Sequence, residues 1–189
     1  MKDKPILITG AGGGIGIALV DNLLERGYTR IACQYRNNSL ELRQFYEMRG
    51  LDFEKTCFQA DLTDETQVTD LQDKVTVALG GPRLWGLVNL AGASSNAMSW
   101  KMPLENFKNI IDANLTPTFL SCRQFIPEMR NAGGGRIINT SSVVASSGAV
   151  GAAHYCASKA AIEGFTRAIS LELANKNVTA NTLALGYFD

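Results

Sequence analysis

Short apolar runs alternate with helix-like segments along the whole chain, and this alternation constrains the fold more than any other feature. The apolar runs are only a few residues long, which is typical of strands that are buried on both faces of a parallel sheet. A repeated strand–helix–strand order predicts right-handed crossover connections and a sheet covered by helices on both sides. We therefore expect a doubly wound α/β domain with three α/β/α layers.

The same pattern gives the limits of the main elements. The predicted strands cover residues 5–9, 30–35, 53–60, 84–90, 136–140 and 178–185. The predicted helices include residues 39–49, a helix from a Thr63 N-cap to about residue 79, a long helix from Pro103 to about residue 131, and residues 155–173. No repeat or linker interrupts the sequence, so residues 1–189 are predicted to form a single domain.

The composition argues against several classes of protein. The 189 residues carry 18 basic and 18 acidic side chains, and this zero net charge argues against a nucleic-acid or anionic-membrane partner. No apolar run reaches the roughly 18 residues that indicate a membrane span. The four cysteines and the single histidine, His154, show no metal-ligand spacing. We expect reduced thiols, a structural or pocket-rim histidine, no metal and a cytoplasmic protein.

A glycine cluster follows the first predicted strand and opens a helical pattern. Its spacing is Thr-Gly-x-x-x-Gly-x-Gly, with the fixed positions at Thr9, Gly10, Gly14 and Gly16. Glycine permits a tight turn and lets the backbone approach a pyrophosphate, which then lies at the helix N-terminus. The cluster therefore indicates a dinucleotide site, and a merely flexible loop is the alternative.

The end of the second predicted strand indicates which dinucleotide is bound. In such sheets this position meets the adenosine ribose, where an acid favours a free 2′-hydroxyl and an arginine accommodates a 2′-phosphate. Here Arg36 follows the strand, and no acid occurs before Glu41. NADP(H) is therefore predicted over NAD(H), unless Arg36 is only a solvated residue at the start of the next helix.

Tyr155 and Lys159 are about one turn apart in the last predicted helix. Side chains at i and i+4 share a helix face. A nearby ammonium lowers the pKa of a phenol from about 10 toward neutrality. The pair could therefore supply a proton while the hydroxyl of Ser142 holds a substrate carbonyl. The same spacing also fits ordinary surface residues on an amphipathic helix, so it needs the context of the other motifs.

The remaining strand ends add candidates for the same crevice. Asp61 and Leu62 follow the third predicted strand, and the segment from Asn89 through Ala91 to Gly92 follows the fourth. Ligands of parallel sheets bind beyond the carboxyl ends of the strands. All the candidates named so far are therefore expected to line one crevice.

Taken in order, these motifs resemble those of the short-chain dehydrogenase/reductase family. They are Thr9-Gly10-x-x-x-Gly14-x-Gly16, Asp61-Leu62, Asn89-x-Ala91-Gly92, Asn114, Ser142 and Tyr155-x-x-x-Lys159. The resemblance covers residues 5–189 and implies a Rossmann-type sheet with strand order 3-2-1-4-5-6. The family's seventh strand is missing from this sequence, which we therefore expect to be part of a longer chain.

The resemblance also implies a role for each matching residue. Tyr155 is expected to donate the proton, while Lys159 lowers its pKa and binds the nicotinamide ribose. Ser142 is expected to orient the substrate carbonyl, and Asn114 to position a water that relays protons. The residues expected to hold the cofactor are Thr9, Gly10, Gly14, Ile15, Gly16, Arg36, Asp61, Leu62, Asn89, Ala91, Gly92, Tyr155, Lys159 and Gly186.

The implied activity is the NADP(H)-dependent reduction of a ketone to a secondary alcohol. Residues 96–102 and 141–144 most resemble the 3-oxoacyl-[acyl-carrier-protein] reductases of the family, so a 3-oxoacyl thioester is the expected substrate. Another small ketone or a polyketide is an alternative, and a non-catalytic dinucleotide-binding scaffold is a second. The resemblance further implies a homodimer or homotetramer built partly on the long helices 104–131 and 154–175.

Overall fold

The computed structural model describes residues 2–187, which contain a six-stranded sheet in the order β3-β2-β1-β4-β5-β6. Every neighbouring pair of strands is parallel. The predicted Rossmann-type α/β architecture and its strand order are therefore confirmed. The strands are β1 (Ile6–Thr9), β2 (Ile31–Tyr35), β3 (Cys57–Gln59), β4 (Gly86–Asn89), β5 (Gly135–Ser142) and β6 (Val178–Leu185).

Helices connect the strands and cover the sheet on both sides. They are α1 (Gly14–Glu25), α2 (Leu40–Met48), α3 (Phe53–Thr56), α4 (Glu65–Ala78), α5 (Leu104–Asn131), α6 (Val144–Ser147) and α7 (Ala153–Leu173). A short 3-10 helix, Ser99–Lys101, precedes α5. Within residues 2–187, no helix has the length and apolar character that crossing a membrane requires.

Two apolar cores, one on each face of the sheet, hold the three layers together. Leu87, Phe125 and Ile137 are fully buried in the core that includes residues of α4, α5 and α7. Ile8 and Leu42 are fully buried in the core that includes residues of α1 and α2. Full burial of one such side chain contributes roughly 1.5–3 kcal/mol. Apolar burial on both faces therefore keeps the strand ends in fixed positions.

The prediction of a strand over residues 53–60 is wrong in its first half, because Phe53–Thr56 forms a helical turn, α3. The carboxylate of Asp52 caps this turn by accepting a hydrogen bond from the amide of Lys55 at 3.3 Å. From the turn, the buried Phe53 side chain joins the core beneath α2. Only Cys57–Gln59 pairs with β2. A local cap therefore overrides the strand-like apolar spacing.

The start of α4 also lies one residue later than predicted. Asp64, rather than Thr63, is the N-cap, and its carboxylate accepts hydrogen bonds from the amides of Thr66 and Gln67. The hydroxyl and the amide of Thr63 instead donate to the carboxylate of Asp61, at 2.8 and 3.0 Å. This turn fixes the Asp61 side chain just beyond the end of β3.

The register of the sheet brings the strand ends together at one edge. Thr9 on β1 is opposite Asn89 on β4, which is opposite Asn139 on β5. Strand β5 continues beyond this level to Ser142, which pairs with Leu185 on β6. The carboxyl ends of all the central strands therefore face the same side, where parallel sheets bind their ligands.

Candidate active site

A cavity of about 130 Å³ lies beyond the ends of β1, β2 and β4. Ala113 and Pro117 of α5 contribute one of its walls. The structure groups here several of the residues predicted to hold the cofactor, namely Gly10, Arg36, Asp61, Leu62, Ala91 and Gly92.

Arg36 and Asp61 form an ion pair at this cavity. Nη2 and Nε of the guanidinium lie 2.7 and 3.0 Å from Oδ2 of Asp61. Burial raises the pKa of the Asp61 carboxyl, but hydrogen bonds from Thr63 and from Arg36 outweigh burial and hold this pKa below its usual value. Asp61 is therefore ionised at neutral pH and orients the guanidinium. Nη1 has no acceptor among the residues that the structure describes, so it can bind another group.

The glycine turn between β1 and α1 allows very close approach of the backbone. Gly10 has a φ of 67°, and a Cβ there would lie 2.6 Å from the amide nitrogen of Ala91. A Cβ on Gly16 would lie 2.5 Å from Cα of Ala11. At Gly14 no described atom lies within 4 Å of a Cβ position, and no side chain of residues 2–187 caps α1. The open N-terminus of α1, with its free amide groups, fits a pyrophosphate.

Gln34 is a buried residue of this region that the sequence analysis did not identify. Its carbonyl oxygen accepts the amide of Gly10 at 2.9 Å, and its amide nitrogen donates to the carbonyl of Ala60 at 2.7 Å. Only 1% of Gln34 is exposed, and its side chain ties the glycine turn to the segment after β3. The signal that could have revealed it was a polar residue inside an otherwise apolar strand, because a buried amide needs partners.

Thr9 and Asn89 lie behind the crevice, and neither residue lines this cavity or the second cavity described below. Both are buried, and the hydroxyl of Thr9 donates to Oδ1 of Asn89 at 3.2 Å. Nδ2 of Asn89 donates to Asn139 at 2.8 Å, and Asn139 donates to Thr166 on α7 at 2.9 Å. This series of buried hydrogen bonds joins three strands to α7, so the two residues support the crevice from within the sheet.

A second cavity, of about 240 Å³, adjoins the first at Gly92 and Ala93. It contains all four residues predicted to be catalytic. These residues are spread over much of the sequence and meet because the strand ends share one edge. The predicted residues that line it are Ile15, Gly92, Asn114, Ser142, Tyr155, Lys159 and Gly186.

Lys159 is buried in this second cavity, with only 4% of the residue exposed. Nζ donates to the carbonyl of Thr140 at 3.0 Å and lies 5.6 Å from the centre of the Tyr155 ring. Burial lowers the pKa of the Lys159 ammonium to about 8. The group is therefore mainly protonated at pH 7, next to the phenol ring, and loses its charge at mildly alkaline pH.

Ser142 and Tyr155 are half-buried and bring two hydroxyl groups to the same cavity. Oγ of Ser142 accepts a long hydrogen bond, 3.4 Å, from the amide of Val144. The backbone carbonyl of Tyr155 accepts a hydrogen bond from the hydroxyl of Ser158 at 2.7 Å, which satisfies the buried hydroxyl of Ser158. The two residues thus lie on different elements, β5 and α7, and line one shared cavity.

Asn114 is fully buried in the middle of α5 and holds the segment that follows β4. Nδ2 donates to the carbonyls of Ala93 and Ile110, both at 2.8 Å, and Oδ1 accepts from the amide of Ala93 at 3.2 Å. Oδ1 would lie 2.4 Å from a Cβ on Gly92, so this contact requires glycine. One lone pair of Oδ1 is left for the predicted water, and the relay stays a prediction.

The fold and the two-part crevice are those of a dinucleotide-dependent oxidoreductase. The family described as short chain dehydrogenase matches residues 4–189. The acetoacetyl-CoA reductase of Cupriavidus necator is 32% identical over 187 residues, which cover 99% of this chain and 75% of that protein. The 3-oxoacyl-[acyl-carrier-protein] reductase of Rickettsia felis is 36% identical over 187 residues, covering 99% and 73%. The reductase of the same name from Thermotoga maritima is 33% identical over 189 residues, covering 100% and 76%.

The chain therefore belongs to the short-chain dehydrogenase family, and the predicted resemblance is confirmed. Members of this family are oxidoreductases that bind a nicotinamide dinucleotide, which fits the glycine turn and the open helix N-terminus. The similarity to 3-oxoacyl-[acyl-carrier-protein] reductases within the family is confirmed as well.

Proposed function

We propose that this protein uses NADPH to reduce the ketone of a 3-oxoacyl thioester to a secondary alcohol. The observation that carries the proposal is the meeting of Asn114, Ser142, Tyr155 and Lys159 around one cavity that adjoins the cavity of Arg36. A scaffold that only binds a dinucleotide could use the Lys159 ammonium to hold a ribose, but it has no use for Ser142 and Tyr155 beside that ammonium in the same cavity. The arrangement therefore favours a catalyst over a scaffold.

The groups of this chain divide the proposed reduction between them. The hydroxyl of Ser142 donates a hydrogen bond to the carbonyl oxygen of the substrate and holds it beside Tyr155. The phenol of Tyr155 gives its proton to that oxygen as negative charge develops there. A bound nicotinamide supplies the hydride that the carbonyl carbon receives. The ketone thus gains one hydride and one proton, and the phenol regains its proton from solvent.

Lys159 and Asn114 support this proton transfer. The ammonium of Lys159 stabilises the phenolate that remains when Tyr155 has given up its proton. Its position in the cavity also suits a bond to the hydroxyls of the nicotinamide ribose. Asn114 holds Ala93 by two hydrogen bonds and so fixes the wall between the two cavities.

The choice of NADPH rests on the geometry of Arg36. Asp61 holds Nε and Nη2, so the planar guanidinium is oriented before a ligand arrives. The side chain of Arg36 is 57% exposed, and its Nη1 is unengaged by any described residue, so a 2′-phosphate can reach it. The ion pair also compensates the charge of Asp61, which reduces its repulsion of a phosphate.

Replacing Arg36 with alanine is expected to raise the KM for NADPH by roughly 10- to 100-fold, because hydrogen bonds to a charged group contribute about 1.5–3 kcal/mol. The KM for NADH should change little. Initial rates of oxidation of each cofactor measure the effect. Arg43→Ala is the matched control, because Arg43 is a half-buried arginine of α2 that also pairs with an acid, Glu54. An equal loss with both cofactors in Arg36→Ala would contradict the phosphate assignment.

The thioester substrate is supported by the names of the relatives. They are reductases of acetoacetyl-CoA and of 3-oxoacyl-[acyl-carrier-protein], and both names describe 3-oxoacyl thioesters. With NADPH, kcat/KM for acetoacetyl-CoA is expected to exceed that for free ketones of the same chain length by at least about 10-fold, because the remote part of the thioester adds binding energy. Faster turnover of the free ketones would contradict the assignment of a thioester substrate, while the assignment of ketone reductase activity would stand.

We further propose that α5 and α7 contribute to the interface of a homodimer or homotetramer. Apolar side chains are exposed on both helices, namely Leu104, Phe107 and Phe119 on α5 and Leu171 on α7. Exposed apolar groups of this size are typical of surfaces that contact another protein. The chain's resemblance to the family implies that the partner is a second copy of the same chain.

A further inference from the structure

Residues 93–97, which we call the wall segment, form part of the catalytic cavity and are held at three places. At its start, Ala93 is bonded by Asn114. At its end, the amide of Ala97 donates to the carbonyl of Gly151 at 2.8 Å. The third contact lies between these two and involves Ser95.

Oγ of Ser95 lies 2.8 Å from Nε2 of His154, within hydrogen-bonding distance. His154 is the residue immediately before Tyr155, on the first turn of α7. The preceding residue of the wall segment, Ser94, lines the cavity together with Ser142 and Tyr155. A single side-chain contact therefore joins the wall of the cavity to the turn that carries the phenol.

His154 itself cannot contact a substrate, because it is 0% exposed and lines neither of the two cavities. Its Nδ1 is buried without a partner among the residues described in the structure. An unpaired buried polar atom is unfavourable for folding. An apolar side chain of similar size could fill the same space without that penalty. Among residues 2–187, the contact with Ser95 is the hydrogen bond of the His154 side chain that an apolar side chain could not provide.

We propose that His154 is a positioning residue that fixes the wall segment relative to Tyr155 and thereby places the ketone substrate. It acts through Ser95 and not on the substrate directly. The inference rests on the proposed function, since it needs a ketone in the cavity beside Tyr155. It assigns to His154 a role in substrate affinity and little in NADPH affinity, because neither Ser95 nor His154 lines the Arg36 cavity.

The test compares His154→Leu, His154→Gln and Ser95→Ala in the full chain. His154→Leu and Ser95→Ala are each expected to raise the KM for the ketone by roughly 5- to 10-fold, the effect of one lost hydrogen bond. The KM for NADPH should stay within about two-fold. His154→Gln should keep the ketone KM near that of the wild type, since its amide can replace the bond to Ser95. Ser99→Ala is the matched control, a serine exposed just beyond the wall segment.

Two further measurements separate positioning from stability. The double variant that combines His154→Leu with Ser95→Ala should have the same ketone KM as His154→Leu alone, because both changes remove the same interaction. The thermal midpoint of His154→Leu should stay close to that of the wild type, since removal of the unpaired Nδ1 and loss of the bond to Ser95 oppose each other. Two results would overturn the inference. One is an equal loss of affinity for the ketone and for NADPH, and the other is a fall in the thermal midpoint that parallels the rise in the ketone KM.

Failure of this inference can be told apart from failure of the proposed function. An active wild type whose ketone KM is unchanged in His154→Leu and Ser95→Ala overturns the positioning role alone. A wild type that oxidises NADPH with none of the ketones overturns the proposed function, and the positioning role with it.

Discussion

Replacing Tyr155 with phenylalanine is expected to lower kcat for ketone reduction by roughly 100- to 10,000-fold, the usual contribution of a positioned general acid. The change removes one oxygen and keeps the ring, which lies 5.6 Å from Nζ of Lys159. Because Tyr155 is only half-buried, losing its hydroxyl opens no cavity in the core. The KM for NADPH should therefore change far less than kcat. Initial rates at saturating NADPH and ketone measure the effect.

Tyr28→Phe is the matched control for this experiment. Tyr28 is also half-buried and loses the same oxygen, but it lies between α1 and β2, away from the carboxyl ends of the strands. Its turnover should equal that of the wild type. A Tyr155→Phe protein that keeps full turnover would remove the proton-donor assignment. If the Tyr155→Phe protein instead keeps its kcat and loses affinity for NADPH, the hydroxyl of Tyr155 serves cofactor binding.

The architecture was predictable because the alternation of strands and helices acts over the whole chain. Once that order is known, parallel pairing places the residues after each strand at one edge. Gly10, Asn89 and Ser142 are far apart in sequence, and the observed register puts their strands side by side. Errors of one or two residues in a strand's limits do not change which edge these residues reach.

The details that the sequence analysis missed depend on side-chain partners that periodicity does not reveal. Gln34 and His154 are polar residues in buried positions, and their hydrogen-bond partners are distant in the sequence. The helical turn at Phe53–Thr56 depends on one carboxylate, that of Asp52. In each case specific hydrogen bonds decide the outcome, and the apolar pattern around these residues gives no indication of those bonds.

The ion pair between Arg36 and Asp61 shows the same limit in another form. In the sequence, Arg36 and Asp61 are separate members of the predicted cofactor site. The structure joins them at 2.7 Å, so the orientation of the arginine depends on the acid. The spacing of residues identified both members of the pair, but only the fold of β2 against β3 shows that they act together.

Replacing Lys159 with methionine is expected to lower kcat/KM by at least about 100-fold, because the phenolate of Tyr155 loses its stabilising charge. The wild type should also lose kcat/KM as the pH rises above about 8, where the Lys159 ammonium gives up its proton. That alkaline decline should be absent from the pH profile of the methionine variant. A variant with the same decline as the wild type would assign the titration to another group.

The same substitution is expected to stabilise the fold at neutral pH. Burial lowers the pKa of Lys159 from 10.5 to about 8, so the folded state binds this proton less tightly than the unfolded state. That difference corresponds to about 3 kcal/mol. Loss of the hydrogen bond to Thr140 offsets about 1 kcal/mol of it. The net gain expected in the free energy of unfolding of Lys159→Met at pH 7 is therefore about 2 kcal/mol.

The pH dependence of this gain identifies its cause. Below pH 8 both states of the wild type hold the proton, and the folded state carries the full penalty. Between about 8 and 10.5 the unfolded state binds more protons, so the stability of the wild type rises with pH. Urea unfolding at pH 7 and at about pH 9.5 should show the advantage of the variant shrinking by roughly 2 kcal/mol. An inactive variant that is more stable only at neutral pH would show that the buried charge of Lys159 serves the reaction and opposes the fold. A difference in the free energy of unfolding that is the same at both pH values would contradict the buried charge as the cause.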